Sequence, residues 1–317
     1  MKISEIGGEF ALINKINNIV GKQNVVVGIG DDAAVIEYSK DKYLLLTTDM
    51  LVEDDHFSLN WSSAFKIGKK AMVSNISDIA AMGGMPRYAL VSLSLKKDST
   101  VEFVEELYKG MKEICEKADC VVIGGDTTHG GLITISITIV GEVEKDKLRL
   151  RKDAKVNDLI CVTGDLGKSA AGLALLQNNK KGFLKDHLEP NHRLKESQII
   201  REYCNALIDV SDGLASEVKH ICEMSKTGAI IYKEKIPLSK TTIENAKIVD
   251  KDPYDFALYG GEDFELVFTI TEDNFKKLQD KLKNITIVGK IIDEKEGIFL
   301  VGKDNKISLK NGFDHFK

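Results

Sequence analysis

The sequence predicts a mixed α/β (α+β) protein in two domains, on three observations. Short apolar runs alternate with stretches of helical periodicity along most of the chain. The length of 317 residues is about twice that of a typical domain. A charged stretch over 142–158, sparse in large apolar residues, divides the chain near residue 150. The division gives an amino-terminal domain at 1–149 and a carboxyl-terminal one at 150–317.

Taken in order, 25–27 and 43–46 read as strands. Residues 64–82 read as a helix with Met72, Ile76, Ile79 and Ala80 on one face and Lys70, Ser74 and Asp78 along another row. A strand at 88–95, an amphipathic helix at 100–117 and strands at 120–123 and 133–140 complete the first half. The second half opens with a strand at 159–163 and continues with helices at 168–177, 193–205 and 214–226. Strands near 229–232, 265–270, 285–292 and 298–301 follow. No repeat period and no low-complexity tract interrupts this order.

Composition excludes several classes. The chain is 43% hydrophobic and 29% charged, enough to bury a core in each half. Its formal net charge of −5 argues against a basic nucleic-acid face. No apolar run approaches the roughly 20 residues of a membrane span, and Met1-Lys2-Ile3-Ser4-Glu5 carries no signal segment. The five cysteines form no Cys-x-x-Cys pair, which fits reduced thiols in a cytoplasmic protein.

The acids carry the functional information. Gly28-Ile29-Gly30-Asp31-Asp32, Thr47-Thr48-Asp49 and Gly124-Gly125-Asp126-Thr127-Thr128 each read as following a strand. Asp78 ends the polar row of its helix, beside Asn75. Asp209-Val210-Ser211-Asp212-Gly213 opens a helix, and Tyr259-Gly260-Gly261-Glu262-Asp263 lies further on. Strand ends in α/β sheets are where ligands bind, and glycines there let a ligand approach the backbone. Asp, Thr and Gly also serve as plain turn and cap residues. Five such segments in one chain favour an all-oxygen site, which suits Mg²⁺ rather than zinc or copper. Only five arginines occur (87, 149, 151, 193 and 201), too few for an arginine clamp on polyphosphate. A phosphate substrate held by acids therefore requires magnesium to screen it.

Two motifs are decoys. Gly28-x-Gly30-x-x-Ala33 resembles a dinucleotide fingerprint, but 34–38 reads as strand where that motif needs a helix. Gly164-Asp165-Leu166-Gly167-Lys168-Ser169 resembles a phosphate loop, yet position 162 is Val where the loop needs its first glycine. Asp209 to Gly213 is not a calcium hand, since Leu214 and His220 fill its sixth and twelfth places.

The segments at 28–34, 47–53, 75–83, 124–128, 209–214 and 260–266, with Gly312-Phe313-Asp314-His315-Phe316, together resemble the thiamine-monophosphate kinases. That family belongs with the aminoimidazole-ribonucleotide-synthetase-like ATP-binding proteins. The resemblance runs from about residue 7 to 316. It implies that the γ-phosphoryl group of ATP is transferred to thiamine monophosphate, and that strands of two amino-terminal domains meet in a homodimer. It implies magnesium contacts from Asp32, Thr47, Thr48, Asp49, Asp78, Asp126, Asp209 and Asp212, with Asp49 and Asp126 the most critical. ATP contacts would come from Tyr108, Gly125, Asp126, Arg151 and Ser211, and acceptor contacts from His56, Glu262 and Phe313. The family's turn after its arginine is replaced here by Lys152-Asp153-Ala154-Lys155, so Arg149 stands as an alternative to Arg151.

A phosphate monoester acceptor, with a second pKa of about 6, needs no general base. Direct in-line transfer is thus expected, with metal-assisted positioning. Among relatives on this scaffold, selenophosphate synthetase needs an early reactive cysteine, and the first here is Cys115. The hydrogenase-maturation relative needs a carboxyl-terminal cysteine, where this chain has His315-Phe316-Lys317. Aminoimidazole ribonucleotide synthetase and a catalytically silent nucleotide-binding module are the remaining alternatives.

Overall fold

The computed structural model describes residues 2–6, 8–20, 25–303 and 305–309. Helix α1 (Glu9–Val20) precedes β1 (Ala34–Glu37) and β2 (Lys42–Val52). Then come α2 (Ala64–Ala81), β3 (Met85–Leu95), α3 (Val101–Ala118), β4 (Val121–His129) and β5 (Thr134–Glu144). The five strands form one sheet in the order β1-β2-β5-β3-β4, antiparallel except for the β3–β4 pair. Its inner face is a row of wholly buried residues, Leu45, Ala89, Val91, Ile135, Ile137 and Ile139, packed under α2 and α3.

Helix α2 starts at Ser63, whose side chain accepts from Lys66 N. It crosses α3 closely. A Cβ on Gly68 would meet Leu107 O at 2.0 Å, and one on Gly110 would meet Phe65 O at 1.9 Å, so each helix presents a glycine to the other's backbone.

The second half is built from β6 (Leu159–Thr163), α4 (Lys168–Gln177), α5 (Lys185–Leu188), α6 (Leu194–Ile200), β7 (Leu207–Asp209), α7 (Leu214–Ser225) and β8 (Thr227–Tyr232). It continues through α8 (Lys240–Ile248), α9 (Pro253–Tyr259), β9 (Leu266–Ile270), α10 (Glu272–Gln279), β10 (Ile285–Asp293), β11 (Ile298–Val301) and β12 (Lys306–Ser308). Its strands form a mixed seven-stranded sheet, β12-β11-β8-β10-β6-β9-β7. The change of sheet falls between Glu144 and Leu159; Leu150 packs with the first core and Ala154 with the second. All five cysteines are free and buried. Among the described residues no helix is long and apolar enough to cross a membrane.

The two-sheet α/β architecture agrees with the expectation, and several details differ. Residues 25–27 form only an isolated bridge, Val27 with Val35, and the strand itself is 34–37. Thr47-Thr48-Asp49 and Gly124-Gly125-Asp126-Thr127-Thr128 do not follow strands; they lie inside β2 and β4. The threonine pairs suit extended backbone and carry both strands past the expected ends. The helix expected over 193–205 stops at Ile200, because Asn205 N bonds Thr269 O and draws the chain towards β7. Helices α1, α5, α8, α9 and α10 have no counterpart among the elements expected from the sequence.

Candidate active site

Helix α2 carries polar side chains where a core helix should be apolar. Lys70 is 4% exposed, and Asn75 and Ser77 are wholly buried. Burying such groups is costly unless each finds a partner, and each does. Asn75 Oδ1 accepts from Asp49 N at 3.0 Å, while its amide donates to Ala71 O at 3.0 Å. Ser77 Oγ donates to Asp209 Oδ2 at 2.6 Å. Asp78 Oδ2 accepts from Thr47 Oγ1 at 2.5 Å. Ser74 bonds the Asp49 carboxyl. The helix thus acts as a polar spine to which β2 and the end of β7 are pinned.

At its carboxyl-terminal end the spine gathers acids. Carboxylate oxygens of Asp32, Asp78 and Asp209 all lie within 4.8 Å of one another. Arg151 leans in from the start of the second half. Its Nη2 donates to Asp32 Oδ1, its Nε to Asp32 Oδ2 at 3.4 Å, and its backbone N–H to Asp31 Oδ2 at 3.3 Å. One guanidinium does not balance so many carboxylates. Burial, followed by the Asp32 charge, pushes Asp209 up to about 8. Burial and the neighbouring Asp49, Asp209 and Asp32 raise Asp78 well above the usual range. Burial raises Asp49, and burial with the Asp32 charge brings Asp31 to about 7. Glu217 on α7 is raised by burial, then by Asp212 and Asp209, and its Oε1 accepts from Asp212 N at 2.8 Å. The cluster is short of positive charge even with Arg151 beside it, and its donors are all oxygen. That fits a hard divalent cation such as Mg²⁺.

At the amino-terminal end the carboxylate is already compensated. Lys70 Nζ lies 2.7 Å from Glu262 Oε1 and 2.8 Å from Oε2, and it also donates to His56 O at 2.8 Å. His187 Nδ1 stands 3.5 Å from Glu262 Oε2 and 3.0 Å from Ser169 Oγ. Burial opposes the Glu262 charge, but Lys70, His187 and His56 outweigh it and hold the carboxyl below its ordinary range. Glu262 has a left-handed backbone (φ 66°). Its N–H bonds Ser211 O at 2.8 Å, and Phe264 N bonds Val210 O at 2.9 Å, which ties the 262–264 segment to the Asp209 loop. Gly261 permits this contact, since a Cβ there would meet Ser211 O at 2.2 Å.

Comparison with known proteins decides the family. The AIR synthase related protein N-terminal domain matches residues 30–143, and the corresponding C-terminal domain matches 155–302. The thiamine-monophosphate kinase of Buchnera aphidicola subsp. Schizaphis graminum is 40% identical over 326 residues, covering 97% of this chain and 98% of that protein. That of Aquifex aeolicus is 38% identical over 323 residues and covers 100% of both chains. The chain belongs to the thiamine-monophosphate kinases. A solved structure of AaThiL complexed with AMPPCP and TMP has a TM-score of 0.89 to this chain, at 37% identity and 99% coverage of each. The AIR synthase related architecture expected from the sequence is therefore the one present.

Set against this kinase family, the structure brings some of the expected residues together and leaves others apart. Asp32, Asp78 and Asp209 share one cluster; Thr47 bonds Asp78, and the Asp49 carboxyl senses both Asp32 and His56. Ser211 and Glu262 are joined through their backbones, and His56 is joined to Glu262 through Lys70. Asp212 reaches Glu217. Of the two arginines, Arg151 stands at the acids, whereas Arg149 turns its Nη1 to the carbonyls of Asp146 and Leu148. Alternation along β2 sends Thr48 to the opposite face from Thr47 and Asp49, where it donates to Ile137 O. Gly125 and Asp126 lie on edge strand β4, with Asp126 in register with Ser92. Three strand spacings, about 14 Å, separate β4 from β2. Tyr108 packs half-buried against the first core. Phe313 lies outside the described residues.

Four participants escaped the sequence reading: Lys70 as an ion-pair partner, Ser77, His187 and Glu217. For Lys70 a signal existed in its row with Ser74 and Asp78. The phosphate-loop decoy also has its explanation. Asp263 accepts from Gly167 N at 2.5 Å and Ser169 N at 3.1 Å, so a carboxylate of the chain itself takes the N–H groups a phosphate would use.

Proposed function

We propose that this chain transfers the γ-phosphoryl group of ATP to thiamine monophosphate, giving thiamine diphosphate and ADP. The observation that carries this reading is the buried, charge-deficient cluster of Asp32, Asp78 and Asp209, found in a chain with full-length similarity to the thiamine-monophosphate kinases. The AaThiL structure holding AMPPCP and TMP supports both substrates. We assign residues 1–149 to an amino-terminal nucleotide- and metal-binding domain, and 150–317 to a domain that completes the substrate site.

Asp32, Thr47, Asp49, Asp78 and Asp209 would hold Mg²⁺ at the cluster, with Thr48, Asp126 and Asp212 as further contacts. When bound, Mg²⁺ supplies positive charge that screens the acceptor phosphate from the polyphosphate. Arg151 balances Asp32 and would orient the nucleotide, with Tyr108, Gly125 and Ser211 as its further contacts. His56, Glu262 and Phe313 hold the acceptor. The chain supplies no base, because a phosphate monoester is largely dianionic at neutral pH. Its task is to align two repelling anions for direct in-line transfer without a phosphoenzyme.

A second copy of the chain would cover the exposed sheet face. Edge strand β4 exposes Val121 (58%) and Ile123 (59%), Tyr88 and Leu90 stand exposed on the neighbouring β3, and Met50 is exposed on β2 in the same sheet. An uncovered apolar edge of this length invites pairing.

ADP release measured with and without thiamine monophosphate, with magnesium titrated from zero, tests the function. Release that requires both is expected. Release supported instead by the formylglycinamidine substrate of aminoimidazole ribonucleotide synthetase, or by no acceptor, overturns it. A monomer in sedimentation at assay concentration overturns the dimer.

A further inference from the structure

We propose that Lys70 is a positioning residue for the acceptor, fixing Glu262 at a set distance from the acidic cluster. The proposal rests on the reading of Glu262 as an acceptor contact. Lys70 is buried on α2, and its ammonium spends its donors on three oxygens: His56 O, Glu262 Oε1 and Glu262 Oε2. An ammonium has three N–H groups, so none remains for a phosphate, and Lys70 acts through Glu262.

The carboxylate it grips is held from the other side as well. The left-handed backbone at Glu262 is one that side chains other than Gly, Asn and Asp seldom adopt. The bond from Glu262 N to Ser211 O maintains it. From Ser211 the chain runs back to Asp209, whose carboxylate receives Ser77 Oγ from the same helix α2. Lys70, Glu262, Ser211, Asp209 and Ser77 therefore close a ring through one rigid element. Within that ring, Lys70 and Asp78 lie on one row of α2, eight residues or about 12 Å apart. The helix is a spacer between the acceptor contact and the metal-binding acids.

The chemistry of the acceptor fits this grip. Thiamine carries a cationic thiazolium and an aminopyrimidine, both of which a carboxylate recognises while ionised. Lys70 keeps Glu262 ionised and occupies two of the roughly four lone-pair positions of the carboxylate, which leaves others for the acceptor. Reaction needs the acceptor oxygen placed in line to a fraction of an ångström, so a carboxylate free to swing loses affinity and alignment together.

Steady-state kinetics of Lys70→Met and of the hydrogen-bonding Lys70→Gln test the proposal, and a misfolded Met variant does not end it. Both variants are expected to raise the KM for thiamine monophosphate about tenfold to a hundredfold, with the KM for ATP within about twofold of wild type. Lys70→Arg, which keeps the charge and the bidentate reach, restores most of the loss. In a Glu262→Gln background, Lys70→Gln adds less than about threefold, because the two residues act as one unit. An unchanged KM for thiamine monophosphate, equal rises in both KM values, or effects that multiply in the Gln background each overturn the proposal. Wild-type protein that shows no response to thiamine monophosphate overturns the function itself, and this inference with it. A wild type that responds to thiamine monophosphate, with Lys70 variants whose KM values match it, overturns the inference alone.

Discussion

The two ends of one helix treat carboxylates in opposite ways. At the Lys70 end of α2, Glu262 meets an ammonium through both oxygens and is held below its ordinary pKa. At the Asp78 end, three carboxylates face one another, and burial with the neighbouring acids drives the pKa values of Asp78 and Asp209 up. Both ends are largely removed from water, so solvent does not explain the difference. The partner does. A carboxylate paired within the chain is finished when the protein folds, and it serves as a fixed contact. Carboxylates left short of positive charge destabilise the folded protein until a cation arrives, and that deficit is what makes them a metal site.

The same chemical change at the two ends therefore has opposite consequences for stability. Asp78→Asn removes a buried repulsion. The metal-free variant is expected to melt higher than wild type, while turnover falls on the order of a thousandfold. Glu262→Gln leaves Lys70 buried without its counter-charge. It is expected to destabilise the fold by about 2 kcal/mol, a figure reduced for the partial exposure of Glu262. Thermal melts of the two variants without magnesium, set beside their rates, decide the matter. Matching signs in the two melts break the contrast.

How much of this contrast was legible in sequence depends on separation along the chain. The α/β alternation and the position of α2 follow from periodicity, and the row of Lys70, Ser74 and Asp78 was visible. What the row faces was not. Glu262 lies 192 residues from Lys70, and Asp209 lies 132 residues from Ser77, and neither helix spacing nor a motif encodes such pairings. The face that Thr48 takes was hidden for a different reason. Once Thr47-Thr48-Asp49 is known to be strand interior, period-two alternation separates Thr48 from its neighbours. Gly124-Gly125 read as following a strand, yet the close approach of Gly125 to Val91 O, which a Cβ would reach at 1.8 Å, makes these glycines part of strand pairing. Of the five helices without a counterpart, α5, α8, α9 and α10 are short, at four to nine residues. Their clearest signals are single caps, such as Ser239, Asp252 and Thr271.

Between the two ends stands Ser77, whose hydroxyl supports Asp209 without being an acid itself. Ser77→Ala removes the donor that lowers the Asp209 pKa. Magnesium affinity, followed by the metal dependence of ADP release or by calorimetry, is expected to weaken about tenfold, the usual cost of losing a hydrogen bond behind a metal ligand. The KM for thiamine monophosphate should stay near wild type. A change confined to the acceptor would mean that the two ends are less separate than the geometry indicates.

The smallest effect belongs to His187, and it sharpens the contrast through pH. Burial, aided by the Lys70 charge and opposed by Glu262, lowers His187 to about 4 from an ordinary 6.5. Between those values the unfolded chain binds a proton that the folded chain refuses, so stability rises with pH. The contribution is complete above about pH 6.5 and is lost as pH falls towards 4. Asp209, raised to about 8, behaves oppositely in the metal-free protein, where the folded state holds the extra proton and stability falls as pH rises from about 4 to 8. His187→Gln keeps a partner for Ser169 and removes the titration. Denaturant melts at pH 5.5 and 6.5 should show a pH-dependent loss smaller than in wild type by about 1 kcal/mol over that unit. Added magnesium should flatten the upper limb, set by the acids, and leave the lower one in place, because the metal answers only the end of α2 that lacks charge.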